Sequence, residues 1–148
     1  MDFPRRLVLI ACLLAWLPAR AADEPEAPAQ APTEIDLTPA IAAAQRWLTL
    51  VDEGRYGASW EEAAPIFQEA MSRHRWETTL PGARDPLGQP VTRKMRQADF
   101  TTTVPNAPPG EYVVIQFDTR FEKRPATTEI VTPMKVGDRW LVSGYIIR

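Results

Sequence analysis

The sequence predicts an α+β fold: helical segments, about three, packed on one face of a curled antiparallel sheet of about four strands. Three observations carry this. The first half of the chain after residue 36 keeps a helical period, the second half switches to a period of two, and the late connections are hairpin-length. The first helix opens at Thr38 as N-cap with Pro39 at the first helical position, where the missing N–H costs nothing. Steps of 100° put Ala40, Ile41, Ala43, Ala44, Trp47, Leu48, Leu50 and Val51 on one half of the wheel, with Gln45, Arg46, Thr49, Asp52 and Glu53 opposite. Gly54 ends it.

A second helix is expected from Ser59, where Ser59, Trp60, Glu61 and Glu62 spell a capping box, with Pro65 interrupting or restarting it. A third starts at Ser72, with Met71 and Trp76 spaced as a hydrophobic staple, and Leu80-Pro81-Gly82 stops it early. Strands follow at 92–103, along "EYVVIQFDTRF", at 127–135 and at 139–147, the last two joined by a tight turn at Val136-Gly137-Asp138. In the second strand Val113, Ile115, Phe117, Thr119 and Phe121 form the apolar face. Tyr112, Val114, Gln116, Asp118 and Arg120 form a mixed one. Trp47, Trp60, Trp76 and Trp140 are the expected core filling.

The chain has three parts: a signal peptide at 1–21, a disordered proline-rich linker at 22–35, and one α+β domain at 36–148. The eleven apolar residues at 7–17 are about half of the roughly 20 that a spanning helix requires. Arg5 and Arg6 precede that run, and Pro18 and Ala19-Arg20-Ala21 follow it, which places cleavage after Ala21. Leu9-Ile10-Ala11-Cys12 also spells a lipobox, but it would leave only five apolar residues ahead of the cysteine, too few for the usual core of about 7 to 15. The Arg5-Arg6 pair recurs in twin-arginine signals, yet its flanks fit that pattern poorly and the core is leucine-rich, so the general secretory route is expected. Loss of the leader removes Cys12, the single cysteine, and with it any disulfide, thiol nucleophile or thiolate metal site. The expected location is periplasmic or secreted, with no stable membrane anchor.

The segment "ADEPEAPAQAPT" has no large apolar side chain with which to offset its conformational entropy. Removal of Asp2, Arg5, Arg6 and Arg20 with the leader takes the formal charge from −2 to −4, which argues against a nucleic-acid partner. Residues 22–77 hold eleven acids against four bases and residues 78–148 seven acids against ten bases, a solvated helical half beside a solvated sheet half.

The blocks "RWLTLVDEGRYGASWEEAAPIF", "DPLG", "GEYVVIQFDTRF", "EIVTPM" and "RWLVSGYIIR" carry a resemblance. The chain from about residue 40 to 148 resembles the exported bacterial proteins grouped as domain of unknown function 4019. That resemblance implies a small relative of the nuclear-transport-factor-2-like or cystatin-like α+β folds. It implies no activity, because the family has none assigned, and no catalytic residue is carried over. Pro81 and Pro90 depart from the family pattern.

Few residues suit catalysis. His74, the one histidine, sits between Arg73 and Arg75 and reads as a solvated surface residue; the seven glycines are scattered and make no phosphate loop. No cofactor is implied. Asp118, Glu122 and Glu129 could lie on neighbouring strands, and a buried carboxylate can shuttle a proton in an apolar pocket. Asp118 lies near Arg120 and Lys123, however, which favours an exposed salt-bridged surface, and Lys94 and Arg96 share a strand face that could touch an acidic partner. The expected function is a protein- or ligand-binding module of the envelope, with a homodimer through the face of Tyr112, Val114 and Gln116. The competing reading is a small-substrate enzyme using Asp118 or Glu129. The candidate surface or pocket residues are therefore Asp118, Arg120 and Glu129.

Overall fold

A computed structural model describes residues 35–148; the expected leader, its cleavage site at Ala21, Cys12, and all of the linker but Ile35 lie outside the described residues. Among the described residues there are four helices, α1 (Thr38–Asp52), α2 (Tyr56–Glu61), α3 (Pro65–Ala70) and α4 (Arg73–Arg84). They are followed by β1 (Pro90–Thr101), β2 (Tyr112–Phe121), β3 (Thr127–Val136) and β4 (Arg139–Ile147). The strands form one antiparallel meander in the order β1-β2-β3-β4. This is the expected α+β class. None of the described helices is long and apolar enough to cross a membrane.

Helix α1 buries Ala40, Ala43, Ala44, Trp47, Leu48, Leu50 and Val51, the expected face. Its N-cap is Leu37 rather than Thr38, and the Thr38 N–H donates to Asp36 Oδ1 at 2.9 Å instead. At the other end Gly54 takes φ +71°, the Gly54 N–H donates to Val51 O and the Arg55 N–H to Leu50 O. This paired closure needs a left-handed residue after the last turn, which glycine supplies without a Cβ clash.

The capping box at Ser59 does not form. Helix α2 starts at Tyr56, and the buried Ser59 hydroxyl donates to Tyr56 O at 2.8 Å while accepting from Trp76 Nε1 at 3.0 Å. Tertiary contact has taken the hydroxyl that local sequence assigned to a cap. Pro65 restarts the helix as α3.

Ser72 caps α4 as expected, accepting from the Arg75 N–H at 3.3 Å, but Leu80-Pro81-Gly82 does not stop the helix. It runs through Pro81 to Arg84, burying Trp76, Leu80 and Arg84 at i, i+4 and i+8. Proline inside a helix costs about 3 kcal/mol. The burial of Leu80 and the bonds of Arg84 described below oppose that cost.

The sheet turns its inner face to the helices. Val113, Ile115 and Phe117 of β2, Val131 of β3 and Val142 of β4 pack with Trp47, Leu48, Val51, Phe67, Trp76 and Leu80. Trp47 lies against Phe67, Trp76 and Tyr145 at ring separations of 5.3–6.3 Å. Trp60 and Trp140 are only half-buried against this cluster. Tyr112 departs from its expected exposed place: it is fully buried, its hydroxyl donates to Pro108 O at 2.7 Å, and Gly110 of the 102–111 loop lies against its ring. The loop covers that corner of the outer face.

Candidate functional site

Of the three candidate residues, two lie on the outer sheet face and one does not. Asp118 is exposed and receives Arg96 Nη1 at 3.0 Å, and Arg120 is also exposed. Both line an open recess of about 460 Å3 with Lys94, Thr128 and Arg148. Glu122 is exposed too, its Oε2 accepting from the Gln89 N–H at 3.0 Å. His74 is exposed on the first turn of α4.

Glu129 differs from Asp118, which is exposed as expected: none of the Glu129 surface reaches solvent. In β3 the residues that alternate inward are Thr127, Glu129, Val131 and Pro133, while Ile130, Thr132 and Met134 face outward. Both alternate sets contain apolar residues, so the pattern alone does not choose between them. Register decides: Glu129 lies opposite Phe117, and Val131 opposite Ile115, on the core face of β2.

Four donors surround the Glu129 carboxylate. Arg84 Nη1 (2.9 Å) and the Tyr145 hydroxyl (2.5 Å) donate to Oε1; Arg93 Nε (2.7 Å) and the Thr119 hydroxyl (2.5 Å) donate to Oε2. A second carboxylate, Asp52, closes the ring. Arg93 donates through Nη1 to its Oδ2 at 2.7 Å and through Nη2 to its Oδ1 at 2.9 Å, while Arg84 Nη2 reaches Oδ1 at 2.5 Å. Arg84 also lies over the Phe121 ring at 4.8 Å, and its Nη1 donates to the Tyr145 oxygen at 3.0 Å.

Two arginines and two carboxylates make the cluster formally neutral. It joins the last residue of α1, the last of α4, and strands β1, β2, β3 and β4, so one ionic knot fixes both helix ends to the sheet. Burial raises the Tyr145 hydroxyl well above its usual pKa, and the charge of Glu129 raises it further. Burial works to lower Arg84 and Arg93, but the acceptors around them outweigh it and both are held above the ordinary arginine value. A cleft of about 310 Å3 reaches the cluster past Tyr56, Asp85, Gln89 and Glu122, with Asp52 and Arg84 on its wall.

Chemically, the arrangement is a fixed clamp. An ionised carboxylate offers about four acceptor positions, and at Glu129 four donors fill them. No position is left to take a proton from a substrate. Among the described residues no group of three or more His, Cys, Asp or Glu side chains is disposed to hold a metal ion.

Sequence reasoning named Glu129 and missed its partners. Asp52 sits on the charged half of the α1 wheel, and Arg93 sits in an exposed stretch of β1. Arg84 lay beyond the expected end of its helix. The available signal was its spacing, eight residues after Trp76 and four after Leu80, on the buried stripe of a helix that ignores Pro81.

Among the described residues the architecture is an α+β domain of four helices over a four-stranded meander, clamped by a buried ionic cluster. Residues 43–145 match the family described as Protein of unknown function (DUF4019), and the chain belongs to that family. Comparison with curated proteins gives no match.

Proposed function

We propose that the chain is a binding module exported to the bacterial envelope, which acts by associating with a protein or small ligand rather than by transforming a substrate. The observation that supports this reading is the saturation of Glu129, whose oxygens are occupied by Arg84, Tyr145, Arg93 and Thr119. The other candidate base, Asp118, stands in solvent beside Arg96. With the inner face filled by aromatic rings and this clamp, association falls to the surfaces. The outer sheet face is one such surface: Val114, Gln116, Ile130 and Met134 are half-buried there and Ile146 is 57% exposed. It supports a homodimer, with Tyr112 removed from the contact and Ile130 and Ile146 added.

Sedimentation velocity on the exported product tests the association. The expected result is a reversible dimer that Ile130→Glu dissociates without changing the circular dichroism spectrum; a monomer at every accessible concentration would discard the dimer. Export is checked by sequencing the N-terminus of the protein recovered outside the cytoplasm. A start at Ala22 is expected, and a lipid-bearing start at Cys12 would replace the soluble module with an anchored one.

A further inference from the structure

Four tryptophans lie in the described domain, and three use their indole N–H inside it. Trp47 donates to Ser59 O at 2.7 Å, Trp60 to Met71 O at 2.6 Å and Trp76 to Ser59 Oγ at 3.0 Å. Trp140 differs: among the described residues its indole N–H has no acceptor. Its half-buried ring stands on the wall of a groove of about 510 Å3 between α1 and the β3–β4 hairpin. Ala42 and Ala43 of α1 leave room there beside the Trp140 ring, over the nearly buried Trp47 and Val142. A volume between about 300 and 1,000 Å3 is typical of ligand sites.

The backbone along the same wall is open as well. β4 is an edge strand. In an antiparallel pair the residues of alternate pairs point their N–H and C=O away from the partner strand. Val142 lies opposite Pro133, which has no N–H to offer, and Trp140 lies opposite Lys135 two positions on, in the same phase. The N–H and C=O of Trp140 and Val142 therefore point out of the sheet. At Val142 the fold already uses this edge: Ala64, in extended conformation (φ −64°, ψ 151°), donates its N–H to Val142 O at 2.8 Å. One residue pair further along, at Trp140, no described backbone group continues that pairing.

The rim supplies charge of both signs. Arg46, Glu62, Asp138 and Arg139 border the groove, and none of the four is in an ion pair among the described residues. Glu62 and Asp138 would repel a phosphate-rich or polyanionic ligand. An extended polypeptide can match an edge N–H and C=O, an indole donor, a recess between Ala42 and an indole ring, and a rim carrying both charges together.

We propose that this groove binds an extended polypeptide segment of a partner protein, which adds to the edge of β4 at Trp140, sets an apolar side chain against Trp140 and Ala42, and carries both an acidic and a basic side chain for the rim. The inference deepens the binding-module reading and rests on it, but it concerns a different surface from the outer sheet face.

A random heptapeptide library displayed on phage, selected against the immobilised exported product, supplies the probe. Selected peptides, synthesised and titrated, are expected to shift tryptophan fluorescence and to slow exchange of the Trp140 amide. Ala42→Trp, which fills the groove from a half-buried helix position, should weaken them by at least about tenfold. Trp140→Phe, which keeps a ring and removes the donor, should weaken them by about three- to tenfold at an unchanged unfolding midpoint. Ile130→Glu should leave their affinity intact whether or not it dissociates a dimer. Selected peptides that bind the Ala42→Trp and Trp140→Phe variants as tightly as the parent, or that protect amides of the outer face instead, would overturn the groove while leaving the binding-module reading standing. A library that yields no binder would overturn the groove as well.

Discussion

The aromatic and the ionic ends of the interior solve the same problem with different chemistry. Around Trp47 the helices meet the sheet through Phe67, Trp76 and Tyr145, and the polar atoms involved are few and each has a partner. Around Glu129 they meet through two guanidiniums, two carboxylates and two hydroxyls within hydrogen-bond distance of one another. Tyr145 belongs to both, with its ring against Trp47 and Trp76 and its hydroxyl on Glu129. An aromatic contact degrades gradually when trimmed, because its energy follows area. A buried ionic cluster fails more abruptly, since removal of one charge leaves its desolvated partners short of a counter-charge.

Breaking the ionic end should therefore give the largest effect. Glu129→Leu leaves Arg84 and Arg93 with Asp52 as their one remaining carboxylate and is expected to destabilise by about 3–5 kcal/mol, read from urea unfolding. Glu129→Gln, close in shape, should cost less but remain clearly destabilising, because its amide nitrogen would face a donor. Were either variant as stable as the parent, the clamp would not be what holds the helix ends to the sheet.

Tyr145→Phe isolates the link between the two ends. The ring stays, Glu129 Oε1 loses one of its two donors, and a loss of about 1–3 kcal/mol is expected at neutral pH. This residue also predicts a pH dependence. Below about pH 10 the phenol is protonated in both the folded and the unfolded chain. Above it the unfolded chain releases the proton first, because burial and Glu129 hold the folded pKa higher, so stability falls as pH rises through that range. In Tyr145→Phe that part of the alkaline loss should vanish, as thermal melts between about pH 8 and 11 would reveal.

Helix capping gives a smaller comparison. Ser72→Ala removes the acceptor of the Arg75 N–H and should cost about 0.5–2 kcal/mol, whereas Ser59→Ala removes a buried acceptor of Trp76 instead of a cap. The smallest expected change has the opposite sign. The Thr127 hydroxyl is buried beside the ionic end and has no hydrogen-bond partner among the described residues. Thr127→Val keeps the shape and removes the unpaired group, and should stabilise by up to about 1 kcal/mol; a loss of that size would mean that the hydroxyl has a partner in solution.

The groove at Trp140 sets a third region beside these two. Its Trp140 ring adjoins the aromatic end, but its indole donor and strand edge are left open, whereas the acceptor positions of Glu129 are filled. That contrast supports the proposed binding at the groove and the outer sheet face over chemistry at the buried carboxylate.

How much of this was legible depended on the range of the interactions. The α1 stripe, the closure at Gly54, the cap at Ser72 and the β2 alternation of Val113, Ile115, Phe117, Thr119 and Phe121 were readable, because helical and strand periods are properties of neighbouring residues. The resemblance to the family was readable for the same reason, as contiguous blocks. Where reading failed, distant groups had outbid local ones: Trp76 took the Ser59 hydroxyl from its cap, and the pairings of Arg84 accompany a helix that passes through Pro81. The 102–111 loop hid Tyr112 in the same way.

The sequence by itself determined the α+β class, the order of helices before strands and most element positions. Only the tertiary structure decided that Glu129 faces inward and that Asp52, Arg84 and Arg93 meet it there. A strand's alternation is symmetric between its two faces, and a charged side chain can be buried only when partners far along the chain arrive to neutralise it and satisfy its hydrogen bonds.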